Sequence, residues 1–255
     1  MVLSEQKRDV YKRQALIVAG FGTLAAPDGL AIIARALEEA FPECAVRRAV
    51  LSETIRARLN ARGVRADGLA EAVSRLRGEG AGRIAVAAAF VVAGREYARL
   101  RREAAGMRVS EPLLARESDL YWMAGLLAEI AREEGRTLLV MGHGADGGDA
   151  AYARLSERLP GNVRIACATG AGSFVAQLRE WEADASREVT LMPLMLTAGW
   201  HARRQMAGSS ADSWQSRLEA RGFDVRVRMQ GLAELPEVRQ RFVEKAKDAL
   251  ERGDG

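Results

Sequence analysis

The sequence predicts an α/β protein made of two similar domains, each with a mostly parallel sheet flanked by helices, and a cleft between them. Short apolar runs bounded by glycine alternate with amphipathic segments along the chain, which is typical of parallel strands joined by helices. The 255 residues suffice for two domains of about 125 residues. A strand pattern in the first half also recurs in the second, which indicates a duplication.

Seven short apolar runs that end at turn residues are predicted to be strands. They are residues 15–20, 45–50, 83–92, 137–141, 162–168, 188–197 and 223–229. Helices are predicted between them, where apolar residues recur at helical spacing. Asp28 can cap a helix that begins near Gly29. Further predicted helices include residues 69–76, 118–134 and 242–250.

The internal repeat has two parts, which occur in the same order in both halves. Residues 15–23 (ALIVAGFGT) match residues 137–145 (TLLVMGHGA), and each copy is an apolar strand that ends in Gly-x-Gly. Farther along, an apolar strand runs into Ala-Gly-x-Glu96 in the first half and into Ala-Gly-x-His201 in the second. The two halves are therefore predicted to share one fold.

The repeat predicts domains at residues 15–117 and 118–255, preceded by an N-terminal extension at residues 1–14 that matches no element. Basic residues before the apolar run 15–26 imitate a secretory signal. Glycines interrupt this run, and its pattern recurs in mid-chain, where no signal peptide occurs. A buried strand is therefore favoured over a cleaved leader.

Composition argues against several kinds of partner. The net charge is +4, but the basic residues are almost all arginines dispersed along the chain, and aromatic residues make up only 5%. No stacking platform for nucleic acid is therefore expected. The sequence contains no run of about 18 apolar residues, so no membrane-spanning helix is predicted. Cys44 and Cys167 lack the spacing of a zinc site. We expect a cytoplasmic protein, with the periplasm as the alternative.

The two histidines of the chain, His143 and His201, both follow predicted strands. Ligand clefts of parallel sheets lie beyond the carboxyl ends of the strands. Glu96 holds in the first half the position that His201 holds in the second, so facing halves would bring two imidazoles and one carboxylate together. This set suits Co, Ni, Fe or Zn. Alone, each histidine would be read as structural, and Glu96 as an acid that favours a helix N-terminus.

Nucleotide cofactors are not predicted. Gly20-x-Gly22 lacks the third glycine of a dinucleotide fingerprint, and no GxxxxGK[ST] motif occurs. Four methionines are interpreted as core or cleft lining, namely Met192, Met195, Met206 and Met229.

From residue 15 to about residue 250 the chain resembles the anaerobic-type sirohydrochlorin cobaltochelatases, whose fold is related to that of ferrochelatase. The most specific match is residues 191–208 (LMPLMLTAGWHARRQMAG). Supporting matches are Phe21-Gly-Thr23, Gly94-Arg-Glu96-Tyr97 and Met141-Gly-His143-Gly144. The resemblance implies that a tetrapyrrole lies between two chelatase domains. It also implies insertion of a divalent metal into sirohydrochlorin, with Co²⁺ as first candidate and Fe²⁺ or Ni²⁺ as alternatives.

The resemblance assigns roles to particular residues. His143 would be the principal base and a metal ligand, His201 the second ligand, and Glu96 the carboxylate that takes protons or balances charge. The expected substrate-binding residues are Phe21, Gly22, Thr23, Tyr97, Arg203 and Arg204.

The sequence departs from the family where acids are common, because it carries Thr169, Trp200, Gln205 and Ser209 at those positions. Fewer acids would weaken metal capture, whereas nearby arginines would favour a carboxylate-rich tetrapyrrole. Two other functions stay open. One is a non-catalytic tetrapyrrole or haem carrier of the same fold, and the other is a binding protein with two coincidental histidines. A homo-oligomer is compatible with the sequence.

Overall fold

The computed structural model describes residues 14–144, 149–169, 174–181 and 186–251. The strands of its first sheet are β1 (Gln14–Gly20), β2 (Ala45–Val50), β3 (Arg83–Ala88) and β4 (Arg108–Val109). Those of the second are β5 (Thr137–Gly142), β6 (Val163–Cys167), β7 (Glu188–Pro193) and β8 (Asp224–Val227). All pairings are parallel, and the orders β2-β1-β3-β4 and β6-β5-β7-β8 are equivalent. The predicted α/β architecture with two parallel sheets is confirmed.

Helices join these strands, as the apolar periodicity predicts. They are α1 (Gly29–Ala40), α2 (Glu53–Ala61), α3 (Leu69–Gly78), α4 (Arg95–Glu103), α5 (Glu117–Glu134), α6 (Asp149–Ser156), α7 (Phe174–Trp181), α8 (Trp214–Glu219) and α9 (Pro236–Glu251). A short π-helix (His201–Met206) and a 3₁₀ turn (Leu232–Glu234) complete the set. The predicted cap of α1 is present, since the Asp28 carboxylate accepts the N–H of Leu30 at 3.0 Å. Within the described ranges, no helix is long and apolar enough to cross a membrane.

Successive side chains of the two central strands, β1 and β5, point in turn into a shared core and into an outer core. Both faces of each strand are therefore buried, which explains why both strands are continuous apolar runs. In β1, Leu16 and Val18 enter a core that is shared with β5. Leu138 and Val140 of β5 enter the same core from the other half. The intervening side chains of each strand pack into separate outer cores. The two halves are therefore joined by a common apolar centre.

Two strands end four residues before the limits that the sequence predicts. The apolar run 83–92 leaves the sheet after Ala88, and the run 188–197 leaves it after Pro193. In the second run, the carbonyl oxygen of Leu196 lies where a Cβ on Gly29 or Gly231 would collide with it. These segments are apolar because they pack at the junction of the two halves. β4 was missed because two residues carry no periodicity.

The last helix returns to the first half of the molecule. α9 follows the second sheet in sequence but packs against α1 and β3. The proposed boundary between domains 15–117 and 118–255 stays a prediction, and α9 packs outside the half to which that boundary assigns it. β1 begins at Gln14, the last residue of the predicted extension, and residues 1–13 lie outside the described part of the chain.

Candidate active site

Residues that directly follow β1, β3, β5 and β7 line a cavity of ≈ 870 Å³, and its walls come from both halves. Each residue that the sequence predicts for the site is part of this lining: Phe21, Gly22, Thr23, Glu96, Tyr97, His143, His201, Arg203 and Arg204. The repeat predicts a cleft lined by residues 21–23, 92–97, 142–146 and 197–206, of which positions 145 and 146 lie outside the described residues. The fold thus gathers the predicted residues around one space, while their chemical roles stay predictions.

Backbone hydrogen bonds show why the two halves present equivalent positions to this cavity. The N–H of Ala89, just after β3, donates to β1, and the N–H of Leu194, just after β7, donates to β5, both at 2.8 Å. Glu96 and His201 each lie seven residues beyond these points. Glu96 in the first half and His201 in the second therefore occupy equivalent positions of the structural repeat.

Phe21 and His143 each stand between two glycines after the central strand of their sheet. Gly22 and Gly144 both have positive φ angles, of 91° and 72°. A Cβ on Gly144 would also collide with the carbonyl oxygen of Thr169. Only glycine readily adopts a positive φ angle where there is no room for a Cβ. The second glycine of each Gly-x-Gly therefore forms the bend that directs Phe21 or His143 toward the cavity.

The two imidazoles lie together. The ring centroids of His143 and His201 are 4.6 Å apart, and the rings are inclined by 78°. His143 Nδ1 is 2.9 Å from the carbonyl oxygen of Gly144. His201 Nδ1 is 2.6 Å from Oε1 of Gln205, one turn along the π-helix. Each ring is thus held through Nδ1, and this contact leaves Nε2 as the nitrogen available to a ligand.

The environment of His201 favours the neutral imidazole. Burial lowers the pKa of His201, the hydrogen bond to Gln205 opposes that effect, and the nearby His143 lowers the pKa further. The net direction is downward. A ring that stays neutral near pH 7 is able to accept a proton or to bind a metal ion.

Glu96 lies in the first turn of α4, and its side chain is 28% exposed. Its carboxylate lies close to the guanidinium of Arg95, with Oε1 of Glu96 3.8 Å from Nε of Arg95. Within the described ranges, no three His, Cys, Asp or Glu side chains form a group that could hold a metal ion. The structure therefore brings the two histidines together, and Glu96 shares their cavity without completing a three-residue cluster.

The two predicted arginines differ in their surroundings. Arg203 donates from Nε to the carbonyl oxygen of Ala198 at 3.0 Å and from Nη2 to that of Ala26 at 2.9 Å. It therefore ties the second half to the first. The exposed Arg204 lines the cavity, and its guanidinium makes no hydrogen bond to any residue in the described part of the chain. Arg204 is the better placed of the two to bind an anionic substrate group.

Two other predicted residues use their hydroxyl groups within the protein. The Tyr97 hydroxyl donates to the carbonyl oxygen of Ser110 at 3.2 Å, and burial raises the pKa of this phenol. The Thr23 hydroxyl accepts the N–H of Ala25 at 3.0 Å. Both residues line the cavity. They shape its wall, and their hydroxyl groups are already engaged.

Sequence reasoning missed some of the lining. The sequence marks Trp200 only as a departure from the family pattern, yet this residue is 63% exposed and lines the cavity together with Phe21, which is 51% exposed. The indole meets the His201 ring edge to face at 5.0 Å. Arg58, at the end of α2, also lines the cavity. An exposed aromatic residue beside a candidate ligand was the available signal for Trp200, whereas Arg58 belongs to no motif.

Comparison with solved structures defines the class. SirB from Bacillus subtilis, in a structure with Fe³⁺, aligns with a TM-score of 0.59 at 15% identity, covering 94% of this chain and 96% of SirB. The sirohydrochlorin chelatase SirB from Bacillus subtilis subspecies spizizenii, in complex with cobalt, gives 0.57 at 14% identity with the same coverage. The fold and the cavity between its two sheets make this an α/β protein of chelatase architecture.

Sequence comparison defines the family. The family model for cobalt chelatase (CbiK) matches residues 14–251. The sirohydrochlorin cobaltochelatase CbiKC of Nitratidesulfovibrio vulgaris is 31% identical over 247 residues, with coverage of 90% of this chain and 88% of that protein. The sirohydrochlorin cobaltochelatase of Salmonella typhimurium is 30% identical over 258 aligned residues, with coverage of 93% and 97%. The chain belongs to the CbiK cobalt chelatase family.

Proposed function

We propose that this enzyme inserts Co²⁺ into sirohydrochlorin, with the macrocycle bound in the cavity between the two halves. The observation that carries the proposal is the pair of imidazoles, 4.6 Å apart, in a cavity lined by both sheets of a CbiK-family protein. Both relatives described above are named as sirohydrochlorin cobaltochelatases. The metal ion is a substrate of this reaction, and no nucleotide is needed.

Metal insertion replaces two pyrrole N–H protons with one divalent ion, so the site must bind the metal and remove protons. His143 is more exposed than His201 and borders open space in the cavity. We assign His143 as the principal base and a metal ligand, and His201 as the second ligand. Neutral imidazole suits both roles. Glu96, on the opposite half, takes a proton or balances the metal charge once the macrocycle is in place.

The walls of the cavity suit a flat macrocycle with a charged rim. Phe21 and Trp200 supply large exposed rings from the two halves, and aromatic faces stack on conjugated rings. Arg58 and Arg204 supply cations that attract carboxylate groups. The proposed orientation places the macrocycle against the aromatic rings and its carboxylates toward the arginines.

The proposal includes a cellular setting. We place the reaction in the cytoplasm, in keeping with two free cysteines, Cys44 and Cys167, in the described structure. A single chain supplies both walls of the cavity, so a homo-oligomer is not required to complete the proposed site. Neither nucleic acid nor a membrane takes part in the proposed reaction.

The test is a metallation assay with the purified protein, sirohydrochlorin and Co²⁺, followed by visible absorption. We expect several macrocycles to be metallated per protein molecule, at a rate proportional to protein concentration. Parallel reactions with Fe²⁺ and Ni²⁺ establish the metal preference. A spectral change that stops at one equivalent of protein would instead indicate a carrier and would contradict the proposal.

Arg204 gives a prediction about substrate binding. Replacing Arg204 with glutamine should raise the KM for sirohydrochlorin about 5- to 20-fold with little change in kcat, because a charge-assisted hydrogen bond to a carboxylate is lost. The increase should be larger at low salt, where the attraction is less screened. The matched control is Arg35→Gln, since Arg35 lies on α1 with an 81% exposed side chain. Equal KM values for the two variants would contradict the role of Arg204.

A further inference from the structure

We infer that Gln205 is a positioning residue that holds His201 in the tautomer with the hydrogen on Nδ1 and the lone pair on Nε2. The carbonyl oxygen of Gly144 holds His143 in the same tautomer. This inference rests on the proposed function, because a matching pair of Nε2 lone pairs is what a metal ligand or a proton acceptor requires. Both histidines would hold these tautomers before any substrate binds.

The contact of His201 carries the inference. In a neutral imidazole one ring nitrogen donates a hydrogen bond and the other accepts one. The atom 2.6 Å from Nδ1 is the carboxamide oxygen of Gln205, which only accepts. Nδ1 must therefore carry the hydrogen, and Nε2 keeps its lone pair.

The π-helix makes this contact possible. The N–H of Ala207 donates to the carbonyl oxygen of Ala202, five residues earlier, at 3.0 Å, and this spacing defines a π-turn. His201 and Gln205 lie on the same wide turn, with the Gln205 side chain half-buried. At the equivalent place in the first half the chain forms the ordinary helix α4, which begins one residue before Glu96. Of these two equivalent positions, the one that carries His201 has the wider π-turn, and the one that carries Glu96 has an ordinary α-helical turn.

His143 reaches the same state by a different route. Its Nδ1 is 2.9 Å from the carbonyl oxygen of Gly144, which only accepts, so Nδ1 again donates. The hydroxyl of Thr169 donates to the carbonyl oxygen of His143 itself at 3.2 Å and steadies the backbone there. Because the partner of His143 is a backbone atom, side-chain substitution at Gln205 leaves it in place. His143 is therefore an internal control.

Such partners are known to orient metal-binding imidazoles and to affect metal affinity by about 10- to 100-fold. Gln205 supplies this hydrogen bond without adding a negative charge. Its expected contribution is orientation and choice of tautomer, and the net charge of the site is unchanged.

The test uses the metal-free protein labelled with ¹⁵N-histidine, at a pH well above about 6.5, the pKa of free imidazole. Long-range ¹H–¹⁵N spectra distinguish a protonated from an unprotonated ring nitrogen, and the two histidines are assigned with a His143→Ala variant. In the wild type we expect both rings to be protonated at Nδ1. Q205L should shift His201 toward the Nε2–H tautomer and leave His143 unchanged. Q205E, which keeps an acceptor oxygen, should retain the wild-type tautomer.

The metallation assay supplies the second readout. Q205L should lower kcat/KM about 10- to 100-fold, and Q205E should recover most of that loss. A wild-type His201 protonated at Nε2, or an unchanged tautomer in Q205L, would overturn the inference even if the wild type metallates sirohydrochlorin. The expected tautomers in a protein without metallation activity would instead refute the proposed function. Because the wild-type spectrum alone tests the tautomer, the inference stays falsifiable if a variant fails to fold.

Discussion

Replacement of His143 with alanine is expected to lower the rate of sirohydrochlorin metallation about 10²- to 10⁴-fold, the range typical for loss of a general base. The fold should persist, because His143 is exposed and lies beyond the end of β5. Its ring contacts His201 and the carbonyl oxygen of Gly144, and the apolar cores do not include it. The measurements are initial rates with Co²⁺ and the thermal midpoint of unfolding.

The structural repeat supplies a matched control for this variant. Phe21 occupies in the first half the position of His143 in the second, and it also lines the cavity. Phe21→Ala removes a ring of similar size but no base, so it should raise KM more than it lowers kcat. If His143→Ala retained wild-type initial rates, or if the two variants had the same kinetic defect, His143 would not be the base.

Loss of the Asp119 charge is expected to destabilise the protein by about 3–5 kcal/mol, because the buried ammonium group of Lys245 loses its nearest carboxylate and, among the described residues, keeps only that of Glu111, at 4.0 Å. Asp119 lies near the start of α5 and is 0% exposed. One oxygen accepts from Lys245 at 2.8 Å and from the N–H of Arg116 at 2.9 Å. The other accepts from Arg241 at 2.7 Å. In Asp119→Asn the amide NH₂ must face one of these donors.

The measurement is urea unfolding followed by circular dichroism. Glu39→Gln is the control, since Glu39 takes part in an exposed ion pair with Arg35 and should change stability by less than about 0.5 kcal/mol. Adding Lys245→Met to Asp119→Asn should restore part of the lost stability, because it removes the buried ammonium group that has lost the Asp119 carboxylate. Strictly additive effects of the two substitutions would contradict a coupled buried pair.

The same cluster predicts a pH dependence. Burial raises the pKa of Asp119, but hydrogen bonds from Lys245, the Arg116 N–H and Arg241 outweigh it and hold the pKa below its usual value. The stabilisation is therefore complete above about pH 3.9, the pKa of an Asp side chain in the unfolded state, and it is lost as the pH falls through the lower pKa of the folded state. The stability difference between wild type and Asp119→Asn should shrink in acid. A difference independent of pH would exclude the carboxylate charge as its cause.

Local signals in the sequence were enough to predict much of the molecule. Strand runs, the Asp28 cap and the repeat depend on neighbouring residues, and the structure has them where local chemistry requires. The proximity of His143 and His201 was also predictable, because the carboxyl ends of parallel strands share one edge of a sheet.

Features that depend on distant contacts were not predictable in this way. The segment after β7 is apolar because it packs against Gly29 and Gly231, a reason that a local pattern cannot distinguish from strand burial. From the sequence, Gln205 is only a position where the family commonly carries an acid, because its contact with His201 depends on a π-turn that no propensity signals. The tie from Arg203 to Ala26 likewise spans 177 positions of sequence.

The return of α9 to the first sheet bears on the order in which the protein matures during synthesis. The surface that α1 and β3 present to α9 is translated before the second half of the chain, whereas α9 is translated after it. Val238, Phe242 and Ala246, all fully buried or nearly so in the finished protein, are absent until then. The N-terminal half therefore cannot bury this apolar face against α9 until the second half has been translated.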